Sequence, residues 1–195
     1  MVPPWVGPTI LRSSEDHRLG RLRKARIRSF PPISARNARV LVLGSMPGRR
    51  SLDARQYYAH RQNAFWRILG ALLGFETAAP YAARVRAVRR ARIAVWDVLH
   101  SCVREGSLDT SIEAETANDF ERFFRAHPRL IRVYFNGTKA EASFRRHVLP
   151  KLARALRDRV LHFTRLPSTS PAHASLPFAR KLAAWRAILK AGDTS

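Results

Sequence analysis

The chain has 195 residues, of which 46% are hydrophobic and 26% are charged. This length suits one domain with a substantial core plus an extension, and the composition excludes an intrinsically disordered chain. No apolar stretch approaches the roughly 20 residues that cross a bilayer, and the N-terminus lacks the hydrophobic core of a secretory signal. We therefore expect a cytoplasmic protein with no membrane partner. An arginine-rich leader to an organelle is the alternative.

The formal net charge is +22, from 36 lysines and arginines against 14 aspartates and glutamates. A GC-rich genome would favour arginine over lysine, but it would not remove acidic residues. Such a charge on a compact domain is typical of a nucleic-acid-binding protein, although an anionic membrane attracts the same charge. We favour nucleic acid as the partner, which would associate the protein with the nucleoid through DNA. The lone cysteine, Cys102, excludes an internal disulfide and a multi-cysteine metal site.

Residues 1–37 differ in composition from the rest of the chain. They contain several prolines and a basic run from Arg18 to Arg28 that has no acidic residue. A charge run of this kind is usually a solvated, mobile surface, and it could also lie on phosphates. We predict a partly disordered extension that adds contacts to DNA, with Phe30 to Ile33 held near the core. Residues 38–195 then form a single domain.

Four apolar segments, each ending at polar or turn-forming residues, divide this domain: residues 40–43, 93–99, 131–136 and 160–166. Helical patterns of hydrophobic residues separate the segments. Alternating strands and helices predict an α/β domain with a parallel sheet covered on both faces. Ligands of such open sheets bind beyond the carboxyl ends of the strands, so we expect the polar residues after the four segments to form one site. They are residues 44–48, 96–97, 136–137 and 167–173.

The first of these polar sets is the loop GSMPG at residues 44–48. It has neither the GK[ST] of a P-loop nor the GxGxxG of a dinucleotide-binding loop, so alone it indicates only a strand-to-helix turn. The set LPSTSPAH at residues 166–173 also ends a strand and also mixes proline with small hydroxyl residues. Backbone N–H groups in such loops hold phosphates, and serine and threonine hydroxyls add donors. The aromatic and amide side chains of residues 56–66 suit stacking on a flat base and hydrogen bonding to its edge.

Four motifs occur in order along the chain: GSMPG..SL...QYYA...N.FW, WDVL..C.R.GSLD, FNG and STSPAHA. Together they resemble the family-6 branch of the uracil-DNA glycosylase superfamily, whose members are described as hypoxanthine-DNA or deoxyinosine glycosylases. The resemblance spans residues 30–189. It implies a three-layer α/β/α sandwich with a central, mostly parallel four-stranded sheet. It also implies an enzyme that flips a deaminated base out of DNA and hydrolyses its N-glycosidic bond without a metal or cofactor.

The chemistry of this hydrolysis defines which side chains to look for. It produces an oxocarbenium-like sugar and an anionic base, so a catalyst needs a positioned water and donors aimed at the base oxygens. Many relatives hold the water with an aspartate or asparagine in the first loop, where this chain has Ser45 and Met46. The resemblance assigns a catalytic asparagine to Asn63 and a second to Asn136, which could read the amide edge of the base. The alternatives are a helix N-cap for Asn63 and a turn or cap for Asn136.

Other residues of these motifs are further candidates. As a protonated imidazole, His173 would stabilise negative charge, or it would support a neighbouring residue. Asp97 would orient a water or a neighbour, or cap a helix or turn, and Asp53 is a reserve candidate for activating water. The predicted pocket residues are Gly44, Ser45, Met46, Pro47, Gly48, Tyr58 and Phe65. The predicted contacts to phosphate are Ser168, Thr169, Ser170, Pro171 and Ala172.

These observations predict a monomeric DNA glycosylase that excises uracil or hypoxanthine in base excision repair. No lysine stands out as a Schiff-base nucleophile, so we expect no associated strand cleavage. A non-catalytic nucleic-acid-binding module on the same fold is the main alternative, and the missing carboxylate in the first loop supports it. A nucleoside or nucleotide hydrolase is a third alternative, which the positive charge disfavours. Pocket width would decide between the two bases, because both present a carbonyl and an N–H.

Overall fold

A computed structural model of the chain describes residues 26–104, 112–152 and 161–191. The strands in these ranges are β1 (Arg26–Arg28), β2 (Val40–Gly44), β3 (Ile93–Asp97), β4 (Leu99–Arg104), β5 (Ile112–Ala117), β6 (Arg132–Asn136) and β7 (His162–Leu166). The α-helices are α1 (Arg49–Ala54), α2 (Phe65–Leu73), α3 (Tyr81–Arg90), α4 (Phe120–Ala126), α5 (Thr138–His147) and α6 (Phe178–Trp185). Short 3₁₀ helices lie at Leu149–Lys151, Pro171–His173 and Arg186–Ala191.

The central sheet has the strand order β3-β2-β6-β7, and all of its strands are parallel. Every residue of β2 and of β3 is buried. A strand covered on both faces needs a continuous apolar run, which VLVL and IAVW provide in these two strands. The predicted four-stranded parallel sheet is confirmed.

Helices cover both faces of this sheet. Neighbouring residues of a strand point to opposite faces, and two residues of β6 show which helices lie on each face. The hydroxyl of Tyr134 donates to the carbonyl oxygen of Ala187, just after α6, at 2.7 Å. The ring of Phe135 lies 5.3 Å from that of Phe144 in α5. Helices α2, α3 and α6 therefore form one outer layer and α4 and α5 the other, which confirms the three-layer α/β/α architecture.

A second sheet, which the sequence did not predict, has the order β1-β4-β5 and is antiparallel. Strand β4 follows β3 after a single residue, Val98, so the apolar segment predicted as one strand serves two sheets. Strand β1 pairs with β4, and Ile33 forms an isolated bridge with Val95. Residues 26–37 are thus part of the domain, and the predicted boundary at residue 37 is wrong.

The contacts of Phe30 and Ile33 explain why residues 26–37 pack against the domain. Ile33 is buried, and Phe30 packs against the core as predicted. The carbonyl oxygen of Phe30 accepts hydrogen bonds from the indole of Trp96 and the hydroxyl of Tyr57. The basic run before Arg26 lies outside the described residues. In the described ranges no helix has the length and apolarity needed to cross a bilayer.

Candidate active site

The four strand ends of the central sheet surround a cavity of about 230 Å³. Gly44 pairs with Asp97 at the ends of β2 and β3, and Asn136 pairs with Leu166 at the ends of β6 and β7. Ligand pockets for drug-sized molecules usually span about 300–1,000 Å³, so this cavity suits a smaller, flat group. Fifteen of the predicted site residues line it: Gly44, Ser45, Met46, Pro47, Gly48, Tyr58, Asn63, Asp97, Asn136, Ser168, Thr169, Ser170, Pro171, Ala172 and His173.

The floor of the cavity is built around Gly44. A Cβ atom at this position would lie 2.5 Å from Oδ1 of Asp97 and 2.8 Å from the hydroxyl oxygen of Tyr58. Both distances are below van der Waals contact, so only glycine allows the two polar groups to approach the end of β2. Asp97 is only 3% exposed, and its backbone carbonyl accepts a hydrogen bond from Asn118 at 2.9 Å. The cavity therefore has a buried carboxyl group and a phenol beside its glycine floor.

One wall of the cavity is the ring of Tyr58. Its backbone has a φ of 54°, in the left-handed region that non-glycine residues seldom adopt, and its ring is half-buried. The ring stacks on Phe65 with 3.8 Å between the ring centroids and 21° between the planes. Phe65 itself is fully buried and also contacts Trp185. Phe65 therefore supports Tyr58 from behind, and its prediction as a pocket-lining residue is wrong because the first residue of α2 points into the core.

The first loop is held by a buried arginine of β4. Arg104 is 7% exposed, and its guanidinium donates to the carbonyl oxygen of Pro47. The backbone N–H of Val98 donates to the carbonyl of Gly44 at 2.8 Å, and that of Leu99 to the carbonyl of Ser45 at 3.1 Å. These bonds fix the loop from the β3–β4 side. The sequence did not identify Arg104 as a site residue, although it lies in the second motif.

The last loop is held by two hydrogen bonds of the Asn136 side chain, one with the side chain and one with the backbone of Thr169. Nδ2 of Asn136 donates to Oγ1 of Thr169 at 2.9 Å, and Oδ1 of Asn136 accepts from the backbone N–H of Thr169 at 2.9 Å. Thr169 is 1% exposed, and its carbonyl accepts from the backbone N–H of Ala64 at 2.9 Å. A carboxamide can donate two hydrogen bonds and accept two, so Asn136 keeps half of its capacity for a ligand. The sequence predicted its place at the site but not its contact with Thr169.

Asn63 makes a local hydrogen bond at the start of α2. Its Oδ1 accepts from the backbone N–H of Phe65 at 3.0 Å, while the N-cap position itself belongs to Ala64. The sequence offered a helix N-cap as the alternative role for Asn63. Asn63 is not the N-cap, but its side chain does accept a hydrogen bond from the first residue of α2. The bond uses the carboxamide oxygen and not the nitrogen. Asn63 thus lines the cavity with a side chain that a backbone contact holds in position.

His173 lies on the rim of the cavity, at the end of the 3₁₀ helix Pro171–His173, and is exposed. Its backbone carbonyl accepts from Nζ of Lys181 at 2.8 Å. Lys181 is 5% exposed, and burial lowers the pKa of its ammonium group. The hydroxyls of Ser168 and Ser170 accept hydrogen bonds from backbone N–H groups of the same loop, at 3.2 and 3.3 Å. The loop is consequently ordered by its own side chains, and both hydroxyls keep a hydrogen to donate.

Comparison with known proteins identifies the family. The family model of the uracil DNA glycosylase superfamily matches residues 31–190. The chain belongs to this superfamily.

Relatives and a solved structure place the chain within the superfamily. A protein of Methanosarcina barkeri named hypoxanthine DNA glycosylase is 41% identical over 112 residues, which are 57% of this chain and 71% of that protein. A protein of the same name from Methanosarcina acetivorans is 37% identical over 114 residues, 58% of this chain and 72% of the other. The solution NMR structure of a proposed uracil DNA glycosylase from M. acetivorans has a TM-score of 0.68 and 30% identity, and the match covers 84% of this chain and 99% of the other. The predicted resemblance to the hypoxanthine-DNA glycosylase branch is confirmed.

The residues that line the cavity differ from the predicted site in two ways. Asp53 lies on the exposed side of α1 and does not line the cavity, so it is not in reach of a substrate there. Five further residues line it: Arg49, Arg50, Ser51, Tyr57 and His60. Tyr57 and His60 belong to the segment 56–66 that the sequence predicted to meet a base, whereas Arg49, Arg50 and Ser51 were not predicted. The arginine pair directly after GSMPG was the available signal, because it places cations beside a loop predicted to meet DNA. No three His, Cys, Asp or Glu side chains of the described ranges lie close enough to hold a metal ion.

Tyr57 stabilises the cavity wall from the core side. It is 3% exposed, its backbone N–H donates to the hydroxyl of Tyr81, and its carbonyl accepts from the indole of Trp66 at 2.7 Å. Burial, with a smaller contribution from the negative charge of Asp97, raises the pKa of the Tyr57 phenol far above its ordinary value. Tyr57 therefore stays neutral and acts as a structural support for Tyr58.

Proposed function

We propose that the protein is a monofunctional DNA glycosylase that flips a deaminated base into the cavity between the GSMPG and STSPAH loops and hydrolyses its N-glycosidic bond. The observation that carries the proposal is this cavity, in which the motifs of a uracil DNA glycosylase superfamily member converge on a space that suits one base. The names of the two Methanosarcina relatives support hypoxanthine as the first base to test. Uracil is the second.

The flipped base would lie against the ring of Tyr58. That ring is backed by Phe65 at 3.8 Å, so it offers a fixed stacking surface at little cost in side-chain entropy. Asn136 would read the base with the amide hydrogen and oxygen lone pair that its contacts with Thr169 leave available. A carbonyl next to an N–H is the pattern that deamination creates in a base, and a carboxamide pairs with both groups at once.

The bond-breaking step separates charge. The C–N bond breaks towards an oxocarbenium-like sugar, and its electron pair remains on the base. His173, on the rim, would meet the negative charge of the leaving base as a protonated imidazole. Asn63 would position the water whose oxygen attacks the sugar carbon. The buried carboxyl group of Asp97, beside Gly44, would stabilise the positive charge on the sugar and accept the proton that the water loses.

The backbone of the DNA would be held by the two loops on either side of the cavity. Arg49 and Arg50 are exposed and line the cavity next to Gly48, where guanidinium groups can pair with phosphate oxygens. On the other side, Ser168 and Ser170 would donate their hydroxyl hydrogens to phosphates. Contacts on both sides would hold the strand taut while the base between them rotates out.

Base release from short oligonucleotides tests this proposal. Single- and double-stranded substrates would carry hypoxanthine, uracil or xanthine, and alkaline cleavage of the resulting abasic sites would measure release. We expect wild type to release hypoxanthine and the Asn63→Ala and Asn136→Ala variants to lose roughly 100-fold or more in single-turnover rate, as for other groups that position water or bind charge in the transition state. Asn37→Ala, an exposed asparagine outside the cavity, is the matched control. Tight binding without release of any base would instead support a non-catalytic DNA-binding module.

A further inference from the structure

The amino ends of the four central strands form an edge opposite the cavity. The backbone N–H of Arg39 donates to the carbonyl of Arg92 at 2.8 Å, and that of Ile131 donates to the carbonyl of Arg39 at 3.0 Å. The backbone N–H of His162 donates in turn to the carbonyl of Ile131 at 2.9 Å. These bonds place the starts of β3, β2, β6 and β7 side by side. The turns that lead into β2, β3 and β6 therefore lie next to one another.

These neighbouring turns carry arginines and, within the described residues 34–39, 91–92 and 127–131, no acidic residue. Helix α3 ends at the same edge, directly before β3, with two more arginines in its last turn. We define the amino-edge face as the five exposed arginines of these segments: Arg36, Arg89, Arg90, Arg92 and Arg129. Salt bridges between described residues involve other cations, and none includes these five.

Helix stability alone does not explain this face. Arg89 and Arg90 favour the C-terminus of α3 through the helix dipole, but Arg36, Arg92 and Arg129 lie outside helices. Arg92 has a φ of 58°, in the left-handed region where glycine or asparagine is the unstrained choice. An arginine at this position places a fifth cation on the face despite its backbone strain. Repulsion between these cations would be relieved by a polyanion.

The amino-edge face and the cavity lie at opposite ends of the sheet. Strand β2 has five residues, so the two edges are roughly 17 Å apart along the strand at about 3.3 Å per residue. A straight duplex seated over the cavity would therefore run across the carboxyl edge and would not reach the arginines behind it. We propose that the amino-edge face binds the phosphate backbone of a second segment of duplex DNA, so that one protein molecule bridges two duplexes.

Duplex DNA fits this face better than an anionic membrane does. Membrane-surface sites combine cations with exposed apolar side chains that enter the lipid. The large exposed hydrophobic residues of the described ranges are Phe163, Leu176 and Leu189. Of these, only Phe163, the second residue of β7, lies near the amino edge, and it is outside the turns and the helix end that carry the five arginines. Guanidinium groups suit phosphate oxygens on a rigid polyanion. The identity of the polyanion rests on the proposed function, because DNA is the substrate proposed for the cavity.

A two-duplex capture assay tests the bridge. A biotinylated and a fluorescent lesion-free duplex, each too short to fold back, are mixed with the full-length protein, and fluorescence retained on streptavidin beads is measured as salt is varied. The test variant is Arg89→Gln/Arg90→Gln/Arg92→Asn, in which asparagine suits the left-handed backbone of residue 92. The matched control, Arg67→Gln/Arg86→Gln/Arg122→Gln, removes three charges from exposed positions on α2, α3 and α4. Arg36→Gln/Arg129→Gln is a second test variant that leaves α3 unchanged.

We expect wild type and the control to capture the fluorescent duplex and the triple test variant to lose about ten-fold or more of this capture. The salt slope of its duplex binding would fall by roughly 2.7, from the loss of three phosphate contacts at about 0.9 each. Base release from a single short hypoxanthine duplex would be unchanged in the test variants, so a failed bridge and a failed glycosylase are separate results. Equal capture by wild type and both test variants, or equal loss in the control, would overturn the proposal.

Discussion

The two loops that enclose the cavity are held in place in different ways. The GSMPG loop follows a fully buried strand and is fixed by a buried cation, Arg104, and by backbone bonds from the β3–β4 turn. The STSPAH loop lies at the surface and is fixed by a neutral amide–hydroxyl contact, between Asn136 and Thr169, and by Lys181. In the proposed function the GSMPG loop, the rigid floor, positions the reacting groups, and the STSPAH loop, the more exposed clamp, engages DNA. Changes to the floor should therefore cost more activity than changes to the clamp.

The largest effect is expected from a methyl group added to the floor. In Gly44→Ala the new Cβ would lie 2.5 Å from Oδ1 of Asp97 and 2.8 Å from the Tyr58 hydroxyl, so both groups must move. Overpacking of this kind costs about 1–3 kcal/mol in the free energy of unfolding. We expect base release in single-turnover assays to fall by at least about 100-fold, because a small misplacement of reacting groups is costly.

Gly74→Ala is the matched control for this change. A Cβ there meets nothing within 4 Å, but the backbone has a φ of 71°. This variant should lose about 1 kcal/mol of stability through strain and keep its activity. Equal loss of activity in both glycine variants would show that stability, and not the geometry of the floor, sets the rate.

The next largest effect is expected from the cation that holds the first loop. Arg104→Met removes the hydrogen bond to the Pro47 carbonyl and leaves that buried acceptor without its arginine donor. We expect a loss of about 1–3 kcal/mol in unfolding free energy and a roughly 100-fold fall in base release. Arg122→Met, at an exposed position, is the control. If Arg104→Met retained wild-type activity while losing stability, the loop would not depend on this cation for its catalytic geometry.

A smaller effect is expected at the clamp. Thr169→Val keeps the shape of the side chain but removes the Oγ1 acceptor of Asn136, while the backbone N–H of residue 169 still donates to Oδ1. We expect about 1 kcal/mol of lost stability and a roughly ten-fold fall in base release. A double-mutant cycle with Asn136→Ala should give a coupling energy of at least about 0.5 kcal/mol. Strict additivity of the two changes would contradict a functional contact between them.

The smallest effect on activity is expected from a carboxylate outside both loops. Glu115 in β5 accepts hydrogen bonds from Lys139, Ser143 and Nε2 of His147. Burial raises the pKa of Glu115, but the hydrogen bonds and positive charge of these partners, Lys139 foremost, outweigh it and lower the pKa below its ordinary value of 4.5. A carboxyl group with a lowered folded-state pKa contributes stability above its unfolded-state pKa and loses it as pH falls through the folded-state value.

Acid titration of stability measures this contribution. Wild type should lose unfolding free energy as pH falls below 4.5, and Glu115→Gln should lose less over that range because residue 115 no longer titrates. At pH 7 the variant should be less stable by about 1–3 kcal/mol, while base release stays within two-fold of wild type. A large loss of activity at unchanged stability would place Glu115 in the function of the site, against the present account.

Much of the central sheet was predictable because strands buried on both faces are continuous apolar runs in the sequence. Residues 40–43 and 93–96 are continuous apolar runs, and each stops at the glycine or aspartate that enters the cavity. The strands of the smaller sheet have no such continuous apolar run. Strand β1 has only three residues, and β4 begins one residue after β3 with a bulged, mixed pattern. The periodicity of hydrophobic residues cannot separate two strands that have only one residue between them.

The sequence predicted which residues line the cavity better than it predicted the contacts between them. Residues placed at strand ends by motif, such as Asn136, do line the cavity. The contact of Asn136 with Thr169 spans 33 positions and depends on side-chain geometry, which no local pattern encodes. Phe65 was misassigned because aromatic residues that stack on a ligand and those that support them from the core look alike in sequence. Asp53 was misassigned because the side of α1 that faces solvent is set by packing.

The most direct test of the account is a crystal structure of the Asn63→Ala variant bound to a duplex that carries one hypoxanthine. We predict that the damaged nucleotide is flipped, with its base stacked on Tyr58 and hydrogen-bonded to Asn136 inside the cavity, and that its phosphates lie between Arg50 and Ser168. A hypoxanthine that remains stacked in the duplex while the protein binds through another surface would contradict the account. So would a base that enters the cavity without contacting either Tyr58 or Asn136.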